Sequence, residues 1–512
     1  MIGSAQAAAA PSTALPWLLV GGHVLWDPVA AAFFVSSALI WVTAGWAAWK
    51  GIEPQGRRRF YLFFMLVAAA QLGATVAGDA VTFLLFFSLL GLAAYPLVTH
   101  DGSPRSVRAG RAYLVFVLAS EGALLAAALV TWGAADGAGF GGGVLGRGMA
   151  LLLLLGLGVK TGLPLLHAWM PAAYAAMPRA AAAGFAGATV GVGVLGWIRF
   201  GAFASGIAPY EWMALGVAGT AFGVLRGLTR REPERVLAYS SVSQMGIVVT
   251  VLGGARGGEG ATLAAAAFIA HHALAKSALF LGIDAVRVSD PSAPRPLWRW
   301  AALGLPALAL AGAPLTSGAL AKGALAEAVR EHGVELGVFF RLSAVATTVL
   351  MLHLLRQLWR RAAEPSGEAA HSLGPWVASV VAVAGGVWLW PAFGNYAGHA
   401  VSGAAVLGEA WPVLVGIAVW SALTRSGWRA ASRPTTVDRW ARWLGWRWDD
   451  YLRRRSEKRP VLRHAPAHVR RRVRHAANAA LRQLEAAERQ AAAWAALGTL
   501  FLALVLLLRL AL

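Results

Sequence analysis

Long apolar runs separated by short polar connectors set the pattern of this chain, and within the runs there is no two-residue alternation of the kind a membrane β-barrel needs. The runs fall at 17–49, 60–78, 79–98, 111–132, 149–170, 179–203, 211–228, 236 onward, 261–283, 303–329, 334–355, 373–390, 401–423 and 491–512. At about 20 residues per crossing they predict roughly fourteen to fifteen transmembrane helices, an all-α polytopic membrane protein. The stretch 17–49 has room for one clear span and a shorter one before it.

Polar groups inside these runs carry the candidate chemistry. The run 261–283 contains Phe268-Ile269-Ala270-His271-His272-Ala273-Leu274-Ala275-Lys276-Ser277. A charge near the bilayer centre costs about 2.5 to 3.5 kcal/mol, so an ionisable residue there points to ion or proton movement. His272 and Lys276 are four apart and share a helix face, and imidazole and buried amine are groups that exchange protons near neutrality. Glu121 lies in the run 111–132.

Two further runs are interrupted. Gly158-Val159-Lys160-Thr161-Gly162-Leu163-Pro164 places a lysine just before a glycine and a proline, and Ala313-Pro314-Leu315-Thr316-Ser317-Gly318 stands just ahead of Lys322. Proline removes a backbone hydrogen bond, and a broken helix at membrane depth is tolerated where it lines a protein-buried or watery cavity. Gly162, Pro164, Pro314 and Gly318 are therefore the candidate breaking residues. Matched interruptions about 160 residues apart suggest a duplicated unit.

Composition agrees with the pattern: 58% of residues are hydrophobic and 13% charged, outside the range of soluble domains. A net charge of +21 would suggest nucleic acid in a soluble protein, but the basic residues gather in connectors. They lie at Lys50 with Arg57–Arg59, at Arg105, Arg108 and Arg111, at 226–235, at 287–299 and at 356–361. If each run crosses once, all of them fall on one side, the positive-inside pattern of a bacterial-type cytoplasmic (inner) membrane with cytoplasmic basic loops. No nucleic-acid partner is expected.

No cysteine is present, which excludes thiolate-held iron–sulfur clusters, disulfides and Cys-ligated zinc. Neither a dinucleotide fingerprint nor a P-loop in the right context occurs. No cofactor, metal or catalytic redox residue is expected, and any redox chemistry would belong to another subunit. The first twenty residues have no basic stretch, so a cleaved leader is not expected. From Arg425 onward Arg and Trp dominate, as in Arg439-Trp440-Ala441-Arg442-Trp443, which fits a surface segment on anionic lipid ahead of a final apolar run.

The segments 158–171, 237–246, 272–281 and 314–322 together resemble the antiporter-like membrane subunits of respiratory complex I (subunits L, M and N), of Mrp-type sodium/proton antiporters and of group 4 hydrogenases. The resemblance covers roughly residues 28 to 360. It implies two inverted five-helix repeats, each with a broken helix, and a midplane line of lysines and histidines that carries protons. Carried over by motif, the pathway residues are Lys160, His272, Lys276 and Lys322, with His271 and Glu121 as neighbours able to join. It divides the chain into N-terminal helices (1–59), a first repeat (60–210), a second (211–360), additional helices (361–424), a basic surface segment (425–490) and an anchor (491–512). The tail resembles that of subunit L in shortened form.

One departure stands out. The family's glutamate falls on Ser88, within Phe86-Phe87-Ser88-Leu89-Leu90-Gly91, and the second lysine of some relatives, near Gly191, is missing. The sequence leaves open whether Glu121 substitutes. The resemblance implies a proton-conducting, non-redox membrane subunit of an energy-converting complex such as NADH:quinone oxidoreductase, with other membrane subunits as partners and sodium as a variant ion. The rivals are the proton-driven subunit of a DAB-type inorganic-carbon pump, a quinone-binding redox enzyme, and a non-transporting scaffold.

Overall fold

The computed structural model describes residues 12–15, 22–53, 56–134, 140, 146–204, 206–286, 296–362, 373–385 and 402–426. The basic segment 425–490, apart from its first two residues, and the anchor 491–512 lie outside them.

Helices α1 (Pro28–Gly51), α2 (Arg57–Thr75), α3 (Ala80–Val98) and α4 (Pro104–Ala134) open the bundle. Next come α5 (Arg147–Thr161), α6 (Met170–Ala176), α7 (Arg179–Arg199), α8 (Pro209–Leu228), α9 (Pro233–Gly254) and α10 (Glu259–Ala285). The rest are α11 (Leu297–Ala311), α12 (Ser317–Arg330), α13 (Gly337–Arg361), α14 (Leu373–Gly385) and α15 (Gly403–Arg425). Among the described residues, eight of these (α1, α3, α4, α7, α9, α10, α13 and α15) are each long and apolar enough to cross a membrane. Of the six other apolar runs, two are the interrupted crossings α5/α6 and α11/α12, α14 is described only over Leu373–Gly385, α2 and α8 are less apolar, and 491–512 lies outside the described residues.

The start of the chain differs from expectation. Where a short span was expected ahead of α1, Ser12–Leu15 and Gly22–Leu25 form a two-stranded antiparallel ribbon. It is tied down by backbone bonds from Leu25 to Val76 (2.9 Å) and from Gly78 to His23 (2.8 Å), and by the Asp79 carboxylate, which accepts from the His23 N–H. The same carboxylate caps α3 through the Thr82 N–H (2.8 Å). These satisfied backbone groups are why a segment too short to cross remains ordered beside the bundle.

The interruptions are built alike. α5 ends at Gly162 with φ of 83°, and α11 ends at Gly312 with φ of 82°. In each, the following residue bonds back to the carbonyl five positions earlier, Leu163 to Gly158 (3.1 Å) and Ala313 to Leu308 (3.0 Å), a Schellman closure that calls for glycine. A proline then stops the helix, and Leu165 and Leu315 take left-handed backbone angles, φ of 70° and 61°. Every step recurs at a spacing of 150 residues (312 − 162 and 315 − 165).

Packing recurs as well. α2 packs on α3, α3 on α4, α4 on both α5 and α6, and α5 on α7; likewise α8 packs on α9, α9 on α10, α10 on both α11 and α12, and α11 on α13. Each set makes five crossings when the broken pair counts as one, so an odd number separates the two starts and the second set runs opposite to the first.

Ion pairs between helix ends sort by face. On one face Arg105 meets Glu232 (2.8 Å), Arg179 meets Glu234 and Asp284, and Arg361 meets Glu234 (2.6 Å). On the other, Arg147 meets Glu211 (2.8 Å) and Arg199 meets Asp27 (2.5 Å). Burial works against ionising Asp27, but the paired Arg199 guanidinium and the Ala30 N–H prevail and hold its carboxyl below 3.8. A depressed carboxyl stabilises the fold above its unfolded value and loses that contribution as pH falls through its folded value. Asp27→Asn should therefore lower the unfolding temperature in detergent at neutral pH, with the gap to the parent chain closing below pH 3.8. A gap unchanged by acid would count against the pair.

α9 and α10 form the centre. Their membrane-length windows are 100% buried, against 22% for α15, so the polar motifs of α9 and α10 face protein and not lipid.

Candidate functional site

The site is a set of ammonium, imidazole and carboxyl groups carried inside the bundle by α4, α5, α10, α12 and α15, with α3 packed against the first of them. Lys160, His271, His272 and Lys276 are each at most 2% exposed, and Lys322 is 8% exposed. None of the three lysines points to lipid.

In the first unit Lys160, two residues before the Gly162 break, lies over the Phe87 ring of α3 at 4.6 Å. Glu121 reaches toward it from α4, and the two groups act on each other's charge. Both border Gly91 of α3, where a methyl group would come within 3.2 Å of the Lys160 ammonium and collide with the Glu121 carboxylate. Gly91 is three residues past Ser88, so the carboxylate from α4 enters the region where the α3 glutamate would otherwise project. Glu121 thus stands beside Lys160, which the sequence left open. One of its oxygens is buried without a hydrogen-bond partner among the described residues.

In the second unit Pro314 has no N–H to give the Leu310 carbonyl, and the helix end is completed by Lys322, whose ammonium donates to the carbonyls of Leu310 (3.0 Å) and Ala311 (2.9 Å). The break therefore makes the lysine's seat, which is the physical reason proline and lysine occur together. His271 shares a hydrogen bond with Ser317 at the start of α12 (2.9 Å). Gly318 permits this approach, since a methyl there would lie 3.0 Å from the imidazole Nε2 and overlap the Ala309 carbonyl. Lys276 donates to the Leu237 carbonyl of α9 (2.6 Å). Both ring nitrogens of His272 are buried and unpartnered among the described residues, as are the hydroxyls of Ser240, Ser243 and Ser277.

Among the described residues no direct hydrogen bond joins the Glu121–Lys160 group to the α10–α12 group. An aromatic row spans the interval instead: Tyr113 against Trp169 (5.1 Å), Trp169 against Tyr174 (6.0 Å) and Tyr174 against Phe280 of α10 (5.7 Å). Phe280 is one turn beyond Lys276. The Tyr174 hydroxyl is fully enclosed and unpartnered among the described residues. Buried polar atoms of this kind call for ordered water.

Two groups escaped the sequence reading. Tyr174 has no signal beyond an isolated hydroxyl in α6. Glu409, on α15, acts electrostatically on Lys322 and had the same signal as Glu121, a carboxylate inside an apolar run.

Interrupted helices in two oppositely directed five-crossing units, each with a buried lysine at the break, define an antiporter-like membrane subunit. The chain belongs to the family described as NADH:quinone oxidoreductase/Mrp antiporter, TM, which it matches over residues 77–349. It is 33% identical over 290 residues to NADH-quinone oxidoreductase subunit N of Desulforudis audaxviator, covering 52% of this chain and 56% of that one. It is 29% identical over 256 residues to hydrogenase-4 component B of Escherichia coli, covering 46% and 38% respectively. Its fold is similar to a chain of the Mrp complex from Dietzia sp. DQ12-45-1b, with a TM-score of 0.65, 20% identity, and coverage of 87% of this chain and 55% of that one. The matches span between 38% and 56% of the length of these curated relatives. It is a multi-pass membrane protein whose relatives are membrane subunits of larger complexes.

Proposed function

We propose that this chain conducts protons across the membrane along Glu121, Lys160, His271, His272, Lys276 and Lys322, as one membrane subunit of an energy-converting complex. The observation that carries the reading is that buried lysines and imidazoles collect at two helix interruptions and on the central helix α10 between them. Each end combines a lysine beside a helix break with a carboxylate that acts on its charge, Lys160 with Glu121 and Lys322 with Glu409, and Lys322 is also held by the Leu310 and Ala311 carbonyls. Water bridging the unpartnered Tyr174, His272, Ser240, Ser243 and Ser277 groups would complete the line. On this reading 60–210 and 211–360 are the two transport units, Gly162, Pro164, Pro314 and Gly318 shape their interruptions, and no redox cofactor is held by the chain.

The basic face is assigned to the cytoplasm of a bacterial-type inner membrane by the positive-inside rule, and the Arg/Trp segment after Arg425 is assigned to anionic lipid. Protons are the expected ion, with sodium the variant to be tested. The complex partners are membrane subunits like those of the relatives.

The test is proton flux driven by an imposed pH gradient in proteoliposomes containing the full chain with its co-purifying subunits. Wild type should dissipate the gradient, and Lys160→Ala should slow it at least about tenfold. Equal rates would defeat the proposal, and a rate set by sodium gradients alone would replace the proton with sodium. Tyr174→Phe tests the bridge: a severalfold slower flux with an unchanged unfolding temperature is expected, since only the hydroxyl is removed.

A further inference from the structure

α15 is the least buried of the membrane-length helices, yet it contains a carboxylate. Leu407 and Leu414 on it are 73% and 63% exposed. A charge on such a helix is tolerated when it turns away from lipid, and Glu409 does. It lies on the inward stripe with Val413, buried, Gly416, seated on Thr348 of α13, and Trp420, whose ring meets that of His353 at 5.7 Å. Trp411 meets Arg341 (5.9 Å). The matched residues rise together on both helices, from 341 to 353 on α13 and from 411 to 420 on α15, so the two run parallel and begin at the same face.

Glu409 is six residues into α15, about 9 Å along the helix from that face. One of its oxygens is buried and has no hydrogen-bond partner among the described residues. Lys322 and Glu409 act on each other's charge. An ammonium has three N–H donors, and the two carbonyls at the end of α11 take two of those of Lys322, leaving one for Glu409 or a water between them. Arg341 is the other charged group on the neighbouring stretch of α13.

We infer that Glu409 is the terminal proton group of the line, linking Lys322 to the face at which α13 and α15 begin. The Lys322 ammonium passes a proton to the Glu409 carboxylate, leaving a neutral amine and a neutral acid. The acid then releases the proton to water at that face and becomes a carboxylate again. The reverse gradient runs the same two steps backward. This rests on the proton-conduction reading above and adds where one end of the line opens.

The experiment uses the full chain with its co-purifying subunits in proteoliposomes. Glu409→Gln should slow the flux about tenfold or more, while Glu409→Asp, which keeps the acid, should retain most of it. In infrared difference spectra of the same preparation, a protonated-carboxyl band should titrate, vanish in Glu409→Gln, and change its midpoint in Lys322→Met. A merely structural Glu409 would leave no such band. Wild-type flux that survives Glu409→Gln overturns this inference alone. Absence of wild-type flux overturns the conduction reading and this inference with it. Where Glu409→Gln fails to fold, the Asp variant and the native infrared titration decide: no titrating band sensitive to Lys322 overturns the inference.

Discussion

Glu121→Gln lowers proton flux by about a hundredfold, and adding Ser88→Glu to it restores most of the loss. The first half follows from what surrounds Lys160: an aromatic face at 4.6 Å, backbone loosened by the Gly162 break, and one carboxylate whose charge acts on it. A glutamine keeps the size of Glu121 but can neither balance the ammonium nor take up its proton, so the lysine loses the group it exchanges with. The second half follows from where that carboxylate enters. Ser88 is part of the same α3 segment as Phe87, which touches Lys160, and one turn before Gly91, which both groups border. A glutamate at Ser88 would approach Lys160 from α3 in place of α4. Flux measured for the parent, both single variants and the double variant decides it. Unaltered flux in Glu121→Gln removes Glu121 from the line. Loss in the single variant with no recovery in the double would show that the carboxylate must come from α4.

The polar residues and the two interruptions were legible because a lysine or proline inside an apolar run violates a local rule and needs no neighbour to be noticed. What the runs hid was reach. Nothing in the letters says that Glu121 crosses to Gly91, because that depends on how α3, α4 and α5 pack, and on a missing Cβ at one glycine. The seat of Lys322 was half legible: Pro314 announces a carbonyl without a donor, but not that the ammonium from α12 turns back to supply it. Glu409 shows a different failure, since the apolar run 401–423 was read for its length and its one acid was passed over. The ribbon at Ser12–Leu15 and Gly22–Leu25 was missed because its pairing depends on Val76, Gly78 and Asp79, far along the chain. The 150-residue spacing stands in the letters as well, since Gly162 and Gly312, Pro164 and Pro314, and Leu165 and Leu315 match; the lysines blur it, because Lys160 precedes its break and Lys322 follows its own.

Gly318→Ala should destabilise the chain by about 2 kcal/mol and slow proton flux about tenfold, the overpacking of a site with no slack. Gly318 opens α12 directly against the end of α11, and the added methyl would overlap the Ala309 carbonyl and come within 3.0 Å of the His271 ring. The backbone of a helix end does not yield as a side chain does, so α12 has to shift. That shift lengthens the Lys322 bonds to Leu310 and Ala311 and parts His271 from Ser317, which disturbs two proton groups with one methyl. Gly323→Ala is the control. It lies five residues later in the same helix, nothing stands within 4 Å of a methyl there, and alanine is favoured over glycine in a helix by up to about 1 kcal/mol. The two substitutions, identical in chemistry, should therefore move the unfolding temperature in detergent in opposite directions, and only Gly318→Ala should affect flux. Equal behaviour of the pair would mean that α12 does not start against α11 as closely as the carbonyl of Ala309 requires.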